Sequence, residues 1–291
     1  MLSLHTNNAA LSAQSSISKT QSTLSTSMTR LSTGYRINSA MDDAAGLQIA
    51  TRLKAQTSGM TVAMSNTQNS TSLLQTAMGA FNEVTNMLVR MKDLATQAAD
   101  VSSSANDKTA MQAEYNALGS ELYNVMTNTT FGGTKLLGKG SAAADGTLST
   151  TMTFQIGADA SEKMDVNLSG SMSTLNSALS AVSKNFAAAA SSVTTELTSS
   201  ANATITLLST AIDNVSTVNS ALGAAANRLD HINNNLSNIS SNTKAASGRI
   251  MDVDFATESS SMTASQMLLQ AGTAMLKQSN SMSSMVMSLL Q

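Results

Sequence analysis

A heptad repeat of apolar and small residues is the feature that most restricts how this chain can fold. From Ile49 to Ala98 such residues recur in alternating steps of four and three. At 1.5 Å per residue this stretch makes a helix of about 75 Å, which is too long for a compact domain. The seam comprises Ile49, Leu53, Gln56, Met60, Ala63, Thr67, Ser70, Leu74, Ala77, Phe81, Val84, Leu88, Met91, Ala95 and Ala98.

A second seam of the same kind lies near the other end of the chain. Because no single helix can bury such a stripe alone, we predict a mainly α fold, a long antiparallel helical coiled-coil bundle. One step of three replaces a step of four upstream of Val218, which predicts local overwinding. A shorter seam runs from Met111 to Val125. The second seam comprises Ile205, Leu208, Ile212, Val215, Val218, Leu222, Ala225, Leu229, Ile232, Leu236, Ile239, Thr243, Ala246 and Ile250.

The stretch from Met152 to Leu168 has a different period. Apolar and polar residues alternate on both sides of a Gly-Ala-Asp turn. This period of two predicts a small β-hairpin, which should lean on the bundle because a lone hairpin is marginal in water. The following residues, Ser171 to Ala203, are rich in Ala, Ser and Thr, and we expect part helix and part irregular crossover there.

The two ends of the chain carry almost no charge. The only charged side chain in residues 1–29 is Lys19, and the only one in residues 259–291 is Lys277, which is followed by the terminal carboxylate. Helices that are uncharged all round are candidates for burial on every side, here by neighbouring copies of the chain. The alternative is a pair of disordered tails. A seven-residue repeat runs through both ends, at Ala10, Ile17, Leu24 and Leu31 and at Phe255, Met262, Leu269, Leu276 and Leu290.

Catalytic and ligand-binding chemistry is missing from the sequence. The two histidines, His5 and His231, have no metal-ligand spacing, and no nucleophile elbow or phosphate loop occurs, so we predict no enzyme, cofactor or metal site. The net charge of −2 favours neither nucleic acid nor an anionic membrane. Because Met1 to Asn8 lacks a basic segment followed by an apolar run, we expect no secretory signal peptide, and no apolar run in the sequence is long enough to predict a membrane span.

The richest local pattern runs from Leu31 to Ile49. Gly34 fits the left-handed position that stops a helix, and Ser39 with Asp42 forms a Ser-x-x-Asp capping box that starts the next one. The Asp42-Asp43 pair is read as helix capping rather than as a catalytic dyad. Gly46 lets a neighbouring backbone approach closely. We therefore predict a joint between two stacked helical layers.

This pattern resembles the N-terminal signature of bacterial flagellins, in which it links the innermost filament layer to the next. Supporting likeness occurs at Asn86 to Ala98, at Gly248-Arg249-Ile250 and at Gln270 to Thr273. The resemblance implies paired terminal helices, called D0, and a helical layer with a hairpin, called D1. It also implies that the assembly joint is formed by Gly34, Arg36, Asn38, Ser39, Asp42, Asp43 and Gly46.

The resemblance divides the chain into five parts. They are residues 1–40 (N-terminal D0 helix and joint), 41–136 (N-terminal D1 helices), 137–204 (hairpin and crossover), 205–251 (C-terminal D1 helix) and 252–291 (C-terminal D0 helix). Larger flagellins carry outer domains inserted before the returning helix. The crossover of this chain is too short to hold such domains, so we expect them to be absent. This shortness favours a lateral-type flagellin.

The function implied is a structural subunit that polymerises into the flagellar filament. The main alternative is a hook–filament junction protein, whose family usually has a looser joint, often with proline, while this chain has no proline. An adhesin would not need two apolar termini, and a secreted enzyme would need a site. The implied location is extracellular, with export through the flagellum's own apparatus and without a cleaved signal peptide.

The implied partners are other copies of the chain, an export chaperone, and junction and cap proteins. Arg90, Leu94 and Glu114 also align with positions that immunostimulatory flagellins present to a vertebrate innate immune receptor. Arg90 and Leu94 are one helical turn apart and should share a face. The alternative is that these residues contact only the neighbouring subunit.

Overall fold

The computed structural model describes residues 7–138, 146–187 and 194–289. The predictions made for His5 and Leu290 lie outside these residues. The chain divides into two compact units, one formed by residues up to 57 together with those from 241, the terminal unit, and the other by residues 58–240, the middle unit.

Long helices dominate both units, as predicted. The helices are α1 (Asn8–Thr33), α2 (Ala44–Ala99), α3 (Ala105–Asn128), α4 (Ser169–Val182), α5 (Glu196–Ser199), α6 (Ala201–Met251) and α7 (Phe255–Leu289). The strands are β1 (Thr130–Phe131), β2 (Thr134–Lys135), β3 (Thr151–Gln155) and β4 (Lys163–Asn167), and a 3₁₀ turn spans Thr147–Ser149.

In the middle unit α2 and α6 run antiparallel, as predicted. The amide of Asn219 donates to Asn82 Oδ1 at 3.1 Å, and that of Asn233 donates to the carbonyl of Met64 at 3.2 Å. Higher numbers on one helix therefore face lower numbers on the other. From Leu74 to Ala98 every predicted position of the first seam is buried, so this part of the register is confirmed.

The structure corrects the register of the second seam. Thr204 and Ala211 are buried, whereas Ile205 and Ile212 are half-buried. The buried positions Thr204, Leu208, Ala211, Val215, Val218 and Leu222 follow unbroken steps of four and three. The predicted overwinding is therefore wrong. The small residues take the core positions because they let the helices approach closely, and the branched isoleucines flank them.

Smaller residues also replace predicted seam residues in the core at other positions of both units. In the terminal unit Ala50 is 3% exposed, while the predicted seam residue Ile49 is 41% exposed. In the middle unit Ser240 is buried and Ile239 is exposed. In each case the smaller neighbour occupies the buried position.

The predicted β-hairpin is confirmed. Strands β3 and β4 pair antiparallel, with Met152 opposite Val166 and Phe154 opposite Met164. Met152, Met164 and Val166 are buried in the core of the middle unit, so the hairpin leans on the bundle. Its tip lies on α2, where a Cβ at Gly59 would be 2.8 Å from the Cβ of Ala158.

A second, shorter hairpin was not predicted. Strands β1 and β2 are joined by Gly132 and Gly133, whose φ angles are 58° and 84°. Consecutive glycines with positive φ suit a tight two-residue hairpin turn, so the Gly-Gly pair was the sequence signal for it.

Polar side chains fasten the crossover to α3. Gln112 Nε2 donates to Thr194 Oγ1 at 3.0 Å and to Glu196 Oε2 at 2.9 Å, while its Oε1 accepts from the backbone of Leu197 at 2.7 Å. The buried Tyr115 hydroxyl donates to the carbonyl of Val182, the last residue of α4, at 2.7 Å. The described part of Ser171 to Ala203 thus contains helix and irregular chain, as expected.

In the terminal unit α1 and α7 form an antiparallel pair. The amide of Asn7 donates to the carbonyl of Ser279 at 3.2 Å, and Arg30 Nη1 lies 3.6 Å from Glu258 Oε2. The predicted repeat positions from Ala10 to Leu31 are half-buried. Phe255 departs from the prediction because it is 56% exposed, and the least exposed positions of α7 begin at Glu258.

Candidate assembly joint and terminal helix pair

The end of α1 is set by Gly34. Its φ is 76°, in the left-handed region that glycine enters without a steric cost, and its N–H donates to the carbonyl of Arg30 at 2.9 Å. The carbonyl of Gly34 accepts from the N–H of Val253 at 3.0 Å. The predicted helix stop is confirmed, and the same residue is bonded to the returning chain.

The returning chain is held at two further points. The N–H of Arg36 donates to the carbonyl of Met251 at 2.6 Å, and Tyr35 forms a short antiparallel bridge with Asp252. The Arg36 guanidinium donates through Nη2 to the carbonyl of Ile250 at 2.9 Å. Because the last carbonyls of a helix lack intrahelical partners, Arg36 caps the end of α6.

Asp42 closes a tight turn ahead of α2. Its Oδ2 accepts from the backbone N–H of Ser39 at 2.9 Å and of Asn38 at 3.0 Å, and from the Ser39 hydroxyl at 3.3 Å. The Ser39 and Asn38 backbone hydrogen bonds hold the pKa of the Asp42 carboxyl below its ordinary value. The Asn38 amide donates to the carbonyl of Tyr35 at 3.0 Å.

The capping box was predicted at the wrong place. Helix α2 begins at Ala44, and Asp43 Oδ1 accepts from the N–H of Gly46 at 2.9 Å. Asp43 is therefore the N-cap, because its side chain satisfies a donor of the first helical turn. Ser39 and Asp42 are bonded as predicted, but they form a separate turn that precedes the helix.

Gly46 is packed against a side chain rather than against a neighbouring backbone. A Cβ there would lie 2.5 Å from Asp43 Oδ2 and 2.8 Å from Ile37 Cδ1. Ile37 is buried, and sequence reasoning missed it as the apolar anchor of the joint. Its signal was its position as an aliphatic residue inside a polar loop.

The α1–α7 pair is closely packed through small residues. Ser27 and Ser265 are buried, and a Cβ at Gly272 would lie 2.9 Å from Ile17 Cγ1. Part of the α7 surface beside this seam is covered by none of the described residues. On it Met267, Leu268, Met275 and Met282 are 59–70% exposed. Leu11 and Met28 of α1 are also exposed.

The structure separates the three residues aligned with a receptor site. Arg90 and Glu114 form an exposed ion pair, with Nη2 and Oε1 2.7 Å apart. Leu94 is 3% exposed and belongs to the core of the middle unit. Leu94 therefore does not share a surface with Arg90 and Glu114 in this chain, because its position on the helix lies toward the bundle interior.

The described residues contain no cluster of three side chains suited to hold a metal ion. Within the same part of the chain, no helix is both long enough and apolar enough to cross a membrane.

Long paired helices, a hydrogen-bonded joint and an uncovered apolar helix face define a structural protein of the self-assembling kind. Comparison with known proteins agrees. The bacterial flagellin N-terminal helical region matches residues 4–142, and the bacterial flagellin C-terminal helical region matches residues 205–290. The chain therefore belongs to the bacterial flagellin family, and it is a structural subunit of the flagellar filament.

Individual relatives support this assignment over the junction protein. Flagellin A of Vibrio anguillarum is 32% identical over an alignment 385 positions long, gaps included, which covers 100% of both chains. B-type flagellin of Pseudomonas aeruginosa is 47% identical over 167 residues, covering 57% of this chain and 33% of that relative. A solved structure from Vibrio parahaemolyticus, provisionally described as a flagellar hook-associated protein, has a TM-score of 0.57 over 72% of this chain and 100% of its own. At 16% identity it shows likeness of fold alone.

Proposed function

We propose that this filament subunit polymerises through its terminal helix pair, with neighbouring copies covering the outer face of α7. The observation that carries the proposal is the exposure of Met267, Leu268, Met275 and Met282 on α7, outside the seam that packs against α1. Contiguous exposed apolar side chains of this kind mark interaction surfaces. Contacts between different patches of identical subunits that do not close into a ring build open helical polymers.

The joint has a supporting role in this proposal. The joint residues fix the chain where it leaves α1 and enters α2, and Arg36 hydrogen-bonds this segment to the end of α6. These residues are Gly34, Arg36, Asn38, Ser39, Asp42, Asp43 and Gly46. The joint thereby holds α1 and α7 in register for their neighbours. The division into D0 and D1 parts remains part of the proposal.

The remaining partners rest on family membership. Export without a cleaved signal peptide, a dedicated export chaperone, and junction and cap proteins are proposed for this chain because flagellins share this route. We also propose that it has no catalytic activity, nucleic-acid partner or membrane partner. The sequence motifs that such roles require are missing.

The exposed Arg90–Glu114 pair supports a second proposal, contact with a vertebrate innate immune receptor by the free subunit. Arginine is enriched among binding hot spots, and both side chains are about half exposed. Replacing Arg90 by alanine should weaken binding of the purified subunit to the receptor ectodomain, whereas Arg52→Ala should not. Equal binding by both variants would refute the receptor contact and leave the filament role untouched.

The assembly proposal is tested by making the outer face of α7 polar. Because Leu268 and Met275 are exposed, Leu268→Ser with Met275→Ser should leave the subunit folded. Burial of a Leu or Met side chain contributes about 1.5–3 kcal/mol, so each lost side chain should raise the critical concentration for polymerisation roughly tenfold or more. The measurement is sedimentation and electron microscopy of polymerised material.

The matched control is Val101→Ser, because Val101 is more exposed than either residue but lies in the middle unit, outside α7. It should polymerise like the unmodified chain. In contrast to this control, a chain that lacks residues 1–29 or residues 259–291 should form a soluble bundle that does not polymerise. Filaments formed by either truncation would contradict the proposal.

A further inference from the structure

The exposed face of α7 carries thioethers where other apolar side chains would serve equally well. Met267, Met275 and Met282 are 61%, 70% and 59% exposed, respectively. Met275 and Met282 are seven residues apart, or about two helical turns, and Met267 lies about two turns before Met275. The three sulfur atoms therefore follow one side of the helix. We define these residues as the methionine stripe.

The stripe is distinct from the seam that faces α1. The less exposed positions of α7 recur in steps of four and three. They are Glu258, Met262, Ser265, Leu269, Gly272, Leu276 and Ser279. The stripe residues lie outside this seam, on a flank of the helix, because each residue turns the helix by about 100° and Met275 precedes the seam residue Leu276 by one position. Their side chains are 59–70% exposed and so are not part of the contact with α1. Oxidation of the stripe would consequently leave the packing of α1 on α7 intact.

We propose that the methionine stripe is an oxidative modification site at which sulfoxide formation blocks assembly of the subunit. The reactant is a two-electron oxidant of the peroxide class. The sulfur lone pair attacks one peroxide oxygen, the O–O bond breaks, and a sulfur–oxygen bond forms. The sulfur is oxidised by two electrons, and the other peroxide oxygen leaves as water after taking up a proton.

The consequence follows from the change in polarity. A methionine sulfoxide is polar and chiral, whereas the thioether is flexible and apolar. In the free subunit the new oxygen is solvated, so folding is unaffected. When a neighbouring subunit covers α7, each oxygen must be desolvated without a designed partner, and the interface is weakened. This inference rests on the proposed assembly through α7.

Other methionines in the described chain provide an internal comparison. Met91, Met126 and Met172 are fully buried in the core of the middle unit. Met41 is the opposite case, because it is 95% exposed but lies in the joint rather than on α7. Exposure controls the rate of oxidation, while position on the stripe determines whether oxidation affects assembly.

The experiment treats the free subunit with hydrogen peroxide and maps sulfoxides by peptide mass spectrometry. The stripe should gain oxygen, about 16 Da per residue, before the three core methionines do. The critical concentration should then rise at least about tenfold for each buried sulfoxide, a factor that corresponds to about 1.4 kcal/mol. Treatment with both methionine sulfoxide reductases should restore polymerisation. The same methionines in preformed filaments should be protected.

The decisive variant replaces all three stripe residues by leucine. Met267→Leu, Met275→Leu and Met282→Leu are combined in a background that carries Met285→Leu, because Met285 of α7 is also 62% exposed. The face stays apolar but loses these thioethers, so this variant should polymerise before and after peroxide treatment. The control Met41→Leu removes the most exposed of the compared methionines and should remain peroxide-sensitive.

Three results would overturn the inference. They are unchanged polymerisation of subunits oxidised at all three stripe positions, loss of polymerisation by the peroxide-treated triple variant, and equally fast oxidation of the stripe in filaments and free subunits. Normal polymerisation of the Leu268→Ser, Met275→Ser variant would instead refute assembly through α7, and the inference with it. That variant, which needs no peroxide treatment, thus separates the two failures.

Discussion

Replacing Gly34 by alanine would isolate the conformational cost of the turn that ends α1. A Cβ at this position meets nothing closer than Phe255 Cζ at 4.0 Å, so the substitution introduces no clash. The remaining cost comes from φ, which is 76°. Holding an L-residue in the left-handed region costs about 1–2 kcal/mol, and a β-branched residue such as valine is more strongly disfavoured.

This cost should appear as local opening of the joint. A loss of about 1–2 kcal/mol corresponds to a factor of about 5–30 in the ratio of closed to open states. Hydrogen exchange should therefore accelerate by that factor at the amides of Arg36 and Val253, which are bonded across the joint, and at the amide of Gly34, which is bonded to Arg30 at the end of α1. Exchange in the middle of α6 should not change. The critical concentration for polymerisation should rise in parallel.

Two comparison variants test the reasoning. Thr33 is the last residue of α1, and Thr33→Ala changes a neighbouring side chain without placing a Cβ in the left-handed region. Its effect should be much smaller. Gly34→Asn should recover most of the loss, because asparagine tolerates this region better than alanine does. If the alanine variants at the two positions exchange at equal rates, Gly34 is not the helix stop that its φ indicates.

Further predictions concern packing, hydrogen bonding and charge. Gly272→Ala should destabilise the α1–α7 pair in hydrogen exchange because its Cβ would lie 2.9 Å from a neighbouring side chain, whereas Gly223→Ala, with nothing closer than 4.0 Å, should raise thermal stability by about 0.5–1 kcal/mol. If both glycine-to-alanine variants changed stability in the same direction, this interpretation would be contradicted. Tyr115→Phe should cost about 1–3 kcal/mol in denaturant unfolding because it leaves a buried carbonyl unpaired, and an unchanged midpoint would refute that role. The lowered pKa of Asp42 means that its contribution to the joint is present above its unfolded pKa and is lost as pH falls through its lower folded pKa, so amide exchange at the turn should accelerate below about pH 4. Asp42→Asn should abolish that pH dependence, and a retained dependence would assign it to another group.

The long helices were predictable because their periodicity persists over many turns, so single exceptions do not alter the assignment. The exact register was less predictable. Hydrophobicity favours Ile49, Ile205 and Ile212 over their smaller neighbours, but the structure buries Ala50, Thr204 and Ala211 instead. The choice depends on how closely two helices approach, which is a property of the pair and not of one sequence segment.

The joint shows the same limit at the level of single groups. Gly34 could be predicted because a left-handed helix end is a local requirement. The N-cap could not be assigned between Asp42 and Asp43 from spacing alone, because both carboxylates lie within one turn of the helix start. The bond from Arg36 to Ile250 joins residues that are distant in sequence. No local pattern indicates such a contact, because it exists only when α6 ends beside the joint.

The two sides of α7 explain how one helix can serve both the fold and the proposed polymer. The seam that faces α1 is satisfied within the chain, and its small residues permit close packing. A second side carries exposed Leu268 and the methionine stripe, which no described element covers. Burial of this second apolar side would lower the free energy of the helix further. One chain supplies a single covering helix, so the second side requires a neighbour. In the proposed polymer that neighbour covers this side with a different part of its own surface, which leaves its own uncovered side free for the next copy, and repetition of the contact produces an open polymer rather than a closed pair.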